Sequence, residues 1–216
     1  MYIYFPSCKF TESHPEVSER IKAFLSARGV KIAGCCRLTH GGVSEGDTAL
    51  TICQSCNIIV KENHPEARVV SVFEFIDSLD DLDLPDLGGE AISLQDCYRA
   101  KDHSSEKAAV RSLLDKMNAE VTELPPLPGE PDFDGTFPLS PMSRANLAIA
   151  PKSFSAMEKD LTPMDVDAQV RYLKDHCARF ETERVVCYCN SCLSGLKAGL
   201  PEGRIAVHLA ELMFPG

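Results

Sequence analysis

The chain has 216 residues, 44% of them apolar and 25% charged, with a net charge of −10. This is the mix of a globular protein with enough chain for a real core, and no apolar run approaches the ~20 residues of a membrane span. Nucleic acid is excluded as the main partner because no block of Lys and Arg is present to meet phosphates. The N-terminus, Met1-Tyr2-Ile3-Tyr4-Phe5-Pro6, has no basic leader region, so a cytoplasmic protein is expected.

In chain order, Met1 to Phe5 is short, apolar and aromatic, and predicts a strand ending near Cys8. His14 to Arg28 carries Val17, Ile21, Phe24 and Leu25 at helical spacing, with Gly29 as a stop. Strands follow at Val30 to Ala33 and Thr48 to Ile52, then a helix over Asn57 to Glu62 that His64-Pro65 ends. Arg68 to Val72 predicts another strand and Phe73 to Leu79 a short helix. Asp80 to Glu90, rich in Asp, Pro and Gly, predicts a linker. The pattern then restarts: a strand at Ala91 to Leu94, a helix at Ser104 to Asn118, and a strand at Glu120 to Leu124. Farther on come a strand at Arg184 to Val186, a helix to Gly199, a strand at Arg204 to His208 and a last short helix.

Ten cysteines stand out: Cys8, Cys35, Cys36, Cys53, Cys56, Cys97, Cys177, Cys187, Cys189 and Cys192. Disulfide frameworks belong mostly to short secreted chains. Here the thiols are crowded instead, with an adjacent pair, Cys35-Cys36, and two C-x-x-C pairs, Cys53/Cys56 and Cys189/Cys192. That crowding suits a metal or an iron–sulfur cluster. Cys177 sits in a helix-like stretch and is expected to be an inert core thiol.

Two stretches read as copies. Thr51-Ile-Cys-Gln-Ser-Cys-Asn matches Cys187-Tyr-Cys-Asn-Ser-Cys-Leu, and each is followed by a strand and a short helix. The predicted architecture is therefore α/β, with two pseudo-symmetric βα-type halves, mainly parallel sheets, and cysteines at the carboxyl ends of strands. The halves are placed at 1–86 and 87–216, with a Pro-rich insertion in the second, near 124–167. Sites in such sheets form outside the carboxyl ends of the strands, so Cys8, Cys35, Cys36, Cys53 and Cys56 are expected to converge.

The series Cys8, Cys35-Cys36, Cys53-x-x-Cys56 resembles the cysteine-rich CCG domain, which occurs in duplicate within heterodisulfide reductase. Tyr4-Phe5-Pro6-Ser7-Cys8 is similar to that family's first-cysteine motif, and Leu94-Gln-Asp-Cys97-Tyr-Arg to the start of its second domain. The resemblance implies an iron–sulfur redox protein, acting in electron transfer or in disulfide or thiol reduction as an oxidoreductase or a component of one. It implies a 4Fe-4S cluster, noncubane in heterodisulfide reductase, held by Cys8, Cys35, Cys36, Cys53 and Cys56. It also implies a redox partner subunit and a small thiol or disulfide substrate. Arg37 stands where the family has Gly, and the gap between Cys36 and Cys53 is short, which leaves the cluster type open.

The second half offers Cys97, Cys187, Cys189 and Cys192 as a secondary, weaker metal site, with Asp134-Gly135 where the family has Cys-Gly. His103 is weighed as a ligand or proton donor against a polar residue at a helix start, and Arg37 as a group that lowers thiol pKa values against a surface charge. His14 and His64, each before a proline, are expected to be structural. Two other readings use the same cysteines: a zinc protein with a structural site, and a metal-free dithiol protein.

Overall fold

Tyr2–Phe5 forms the first strand, β1, and three of its four residues are buried. A strand covered on both faces needs such a run, which is the mark of a parallel sheet flanked by helices. The computed structural model describes residues 1–37, 42–125, 133, 135, 143–159 and 164–216. Most of the Pro-rich run and Asp134 lie outside these residues.

The chain divides into two units. In the first, β1 is followed by α1 (Cys8–Ser13), α2 (Pro15–Ala27) and β2 (Lys31–Ile32). Then come β3 (Thr48–Thr51), α3 (Gln54–Asn63), β4 (Arg68–Ser71) and α4 (Val72–Asp77). The strand order is β2-β1-β3-β4, all parallel, with Tyr4 level with Leu50 and Phe5 with Thr51. Phe10, Ile21, Leu25, Ile59, Val60 and Phe73 bring the helix faces onto this sheet, and all are buried. At the entry to α4, the Ser71 side chain and Glu74 form a capping box that fixes where strand turns to helix.

The second unit repeats the plan. β5 (Ala91–Gln95) leads through a single 3-10 turn at Tyr98–Ala100 into α5 (Ser104–Lys116) and β6 (Glu120–Glu123). The chain then makes α6 (Arg144–Ile149) and α7 (Pro151–Glu158), which fall in the first unit, and completes the second with α8 (Val166–Cys177), β7 (Arg184–Cys187), α9 (Asn190–Gly199), β8 (Ile205–His208) and α10 (Leu209–Met213). The order β6-β5-β7-β8 is that of the first sheet, again all parallel. The fold is thus α/β with two βα-type halves, as the repeated sequence predicts. At the start of α10, the His208 ring takes the part that Ser71 plays at α4: its Nδ1 accepts from the Ala210 amide at 3.2 Å, and Glu211 accepts from the His208 amide at 3.3 Å.

The compact units do not follow chain order. The first comprises Met1–Leu82, Met142–Lys159 and Phe214–Gly216; the second Asp83–Pro141 and Asp160–Met213. The sequence places the whole insertion with the second half, yet α6 and α7 belong to the first unit. Specific contacts hold them there. The Glu62 carboxylate accepts from the Lys152 and Ser153 amides at 2.9 and 2.8 Å, satisfying donors in the first turn of α7. The Asn63 amide donates to the Ile149 carbonyl at 2.9 Å.

In the second unit, α8 lies against α9 and carries a half-buried histidine. The His176 Nε2 donates to Gln95 Oε1 at 2.6 Å, and its ring stacks on Phe133 at 4.1 Å. Burial first, and the Arg179 charge second, push its pKa down to about 4. In the unfolded chain the group titrates near ~6.5, so the unfolded state takes up the proton first, and stability is lost as pH falls from about 6.5 to about 4. We expect the melting temperature to drop across that window, by the equivalent of up to ~3 kcal/mol, and His176→Gln to flatten the drop. Melting curves from pH 7 to pH 4 check this; an unchanged acid limb in the variant would show that another group carries it.

Candidate metal centres

In the order β2-β1-β3-β4, the chain leaves β1 toward one edge of the sheet and returns across it to β3. The loops after β1 and β3 therefore part, and the crevice of such a sheet opens at this switch point. Cys8 comes three residues after β1 and Cys53 two after β3, so both stand at this crevice, with Cys35 and Cys36 supplied from the end of neighbouring β2. In the second unit the switch point lies between β5 and β7, with Cys97 past one strand and Cys187, Cys189 and Cys192 at the end of the other.

Local geometry explains the C-x-x-C pairs. Cys53 and Cys189 are the N-cap residues of α3 and α9, in extended conformation, and Cys56 and Cys192 lie in the first helical turn. The helix start brings both sulfurs of each pair to one end of the helix, beside amides that favour a thiolate. Cys8 opens α1 directly after Ser7, whose φ of 59° is a left-handed conformation that a non-glycine residue adopts at a cost.

The first unit strings its five sulfurs into a continuous series. Cys8 and Cys35 are 3.2 Å apart and Cys36 and Cys56 3.3 Å apart. Cys35 also hydrogen-bonds Cys36, and Cys53 hydrogen-bonds Cys56. The series runs from exposed Cys8 through half-buried Cys35 to buried Cys36 and Cys56. When both thiols are neutral, the geometry lets Cys36 donate to Cys56. Once a proton leaves, the charge settles on Cys36: the hydrogen bond with Cys56 and the Arg37 guanidinium hold its pKa below the ordinary thiol value against the opposing cost of burial. Cys56 is correspondingly pushed up, first by its bond to Cys36. Cys8 is also raised, by desolvation first and then by Cys35. Arg37 is fixed by a hydrogen bond to Asn146 of α6, so it is more than a loose surface charge.

In the second unit the sulfurs of Cys97, Cys189 and Cys192, all buried, lie within 4.8 Å of one another. Three soft donors at that spacing could hold a metal ion. Hydrogen bonds from Cys192 and Cys97 hold the Cys189 thiol well below its ordinary pKa, and the Arg99 charge adds to the effect. Cys192 is pushed up by the same bond to Cys189. Cys187 stands outside the group of three. Its thiol donates to the Cys189 carbonyl at 3.7 Å, and burial raises its pKa. Cys177 is also apart, buried at the end of α8, its pKa raised to about 12 by burial alone, as suits a core thiol.

His103 is the N-cap of α5, with Nδ1 3.7 Å from Glu106, which suits a polar residue at a helix start. His14 joins α1 to α2 and His64 ends α3, both in structural places. Asp134 lies outside the described residues, although its neighbours Phe133 and Gly135 are placed: the Phe133 carbonyl accepts from the Tyr98 amide at 3.0 Å and is 3.9 Å from the Cys192 sulfur. Sequence reasoning passed over Arg99, Tyr4, Tyr188 and Asp96. Arg99 carried a legible signal, a cation two residues past a cysteine, like Arg37 one residue past Cys36. Tyr188 donates to Asp96 at 2.8 Å, and Asp96 is clasped by Arg111 at 3.0 Å.

Among the described residues, no helix is long and apolar enough to cross a membrane. No protein-family model matches the chain, and no curated protein matches it. Among solved structures, the glutamate racemase isoform RacE1 from Bacillus anthracis is similar at 11% identity and a TM-score of 0.31, over 98% of this chain and 68% of that one, a likeness too slight to bear on fold or activity.

Proposed function

We propose that this protein is an iron–sulfur redox protein whose first unit binds a 4Fe-4S cluster through Cys8, Cys35, Cys36, Cys53 and Cys56. The observation that carries this reading is the unbroken series of five sulfurs at the switch point of a parallel sheet. The donor set fits the group: thiolates are soft ligands for a soft iron–sulfide core, and five exceed the four that a tetrahedral zinc site uses. The group would supply one-electron redox chemistry. The chain's part is to hold thiolates in place, with Arg37 favouring the charge on Cys36, and to leave Cys8 exposed on the side a partner can reach. The resemblance to the CCG domains of heterodisulfide reductase supports the same reading, and with it a role in electron transfer or in reduction of a small thiol or disulfide alongside a redox partner subunit.

The second unit favours a different occupant. Three buried thiols with no further sulfur in the group suit a single ion such as zinc, closed off from solvent. Anaerobic purification with iron, sulfide and zinc analysis tests both readings. Brown protein with near-equal iron and acid-labile sulfide is expected, with up to one zinc per chain. Colourless protein carrying zinc alone would move the first unit to the zinc reading; colourless protein without metal would favour the dithiol reading.

A further inference from the structure

Each unit sets a buried tyrosine beside its thiols, and the two tyrosines differ in one respect. In the second unit, Tyr188 is satisfied by the chain: it donates to Asp96 at 2.8 Å and accepts from the Cys97 amide at 3.5 Å. In the first, Tyr4 is wholly buried in the middle of β1, and among the described residues its hydroxyl has no hydrogen-bond partner. Cys56 and Cys53 are close enough for their charge to reinforce burial in raising the Tyr4 pKa, so the hydroxyl stays protonated and is a donor. A buried hydroxyl left without a partner is costly, and native structures keep few of them. Cys56 and Cys53 are near enough to act on Tyr4 electrostatically, and a sulfur carrying negative charge is a hydrogen-bond acceptor.

We propose that the Tyr4 hydroxyl donates a hydrogen bond to a sulfur of the iron–sulfur group in the five-cysteine pocket and raises the reduction potential of that group. The inference rests on the iron–sulfur reading of the first unit. Its physical basis is that the reduced group carries more negative charge on sulfur, so a donor favours the reduced form, and hydrogen bonds to sulfur are among the levers that set such potentials. No ligand is lost when Tyr4 becomes phenylalanine, and the buried ring is retained.

The experiment compares wild-type and Tyr4→Phe protein, prepared anaerobically and titrated with dithionite against redox mediators while visible absorption and electron paramagnetic resonance are followed. Equal iron and sulfide are expected in both. At the wild-type midpoint, the ratio of reduced to oxidised protein should fall about three- to tenfold in the variant, the worth of one hydrogen bond to a charged acceptor partly kept in the oxidised form. Metal-free Tyr4→Phe should melt no lower than metal-free wild type, because phenylalanine leaves no unmet polar group. An unchanged midpoint with full iron would overturn the proposal and leave the iron–sulfur reading standing. A metal-free variant melting well below wild type would also overturn it, since the hydroxyl would then be bonded within the chain or to water. Wild-type protein that takes up no iron and sulfide would instead sink the iron–sulfur reading, and this inference with it.

Discussion

Replacing Cys36 by serine is expected to remove most of the iron bound by anaerobically prepared protein, while replacing Cys189 should leave most of it in place. Cys36 joins the two ends of the sulfur series, with Cys35 on one side and Cys56 at 3.3 Å on the other. It is also the thiol that its neighbours and Arg37 most favour as a thiolate, the form that binds metal. Serine would put a harder, scarcely ionised oxygen at that point, poorly matched to iron held through sulfide. Cys189 is equally the charged centre of its own group, but that group has three sulfurs. Its loss should lower zinc and spare iron. Metal analysis of the two variants beside wild type is the check. Equal loss of iron from both would make the second unit a full iron site and would contradict the division of labour proposed for the two units.

The cysteines and the parallel sheets were legible because both depend on local signals. Short apolar runs ending at Cys8, Cys53 and Cys97 mark strands buried on both faces, and the repeated C-x-x-C marks the copied unit. Strand order was not legible. Nothing local to β1 or β3 says that they are neighbours, yet this adjacency makes their ends a crevice. Sequence patterning places a helix start late where the N-cap is unusual: α3 begins at Gln54, three residues before Asn57, because Cys53 is not among the residues that ordinarily signal a cap. α1 leaves no signal in the sequence because six residues show little periodicity, and α7 leaves none because Pro151 reads as a breaker, whereas at the first helical position it starts the helix. The attachment of α6 and α7 to the first unit depends on Glu62 and Asn63 meeting backbone groups some 90 residues away, which no local pattern encodes.

Substituting Gly195 by alanine should destabilise the second unit and loosen its three-thiol group. A Cβ at this position of α9 would lie 2.4 Å from the Gly135 Cα and 2.8 Å from its carbonyl oxygen. These are backbone atoms, so no side chain can swing aside, and the cost should reach the upper end of the ~1–3 kcal/mol typical of overpacking. The glycine has a counterpart in Ile59 of α3, so the first unit has no need of such closeness. The displaced segment also matters to the thiols. Phe133 lies two residues before Gly135, its carbonyl 3.9 Å from the Cys192 sulfur and its ring stacked on His176 at 4.1 Å. Pushing residue 135 away from α9 therefore disturbs the wall beside Cys192. Gly195→Ala should lower the melting temperature and weaken zinc retention against a chelator, while Ser194→Ala, at an exposed position on the same helix, should change neither. A Gly195→Ala protein that melts and holds zinc like wild type would mean that the 133–135 segment yields freely and takes no part in closing the second site.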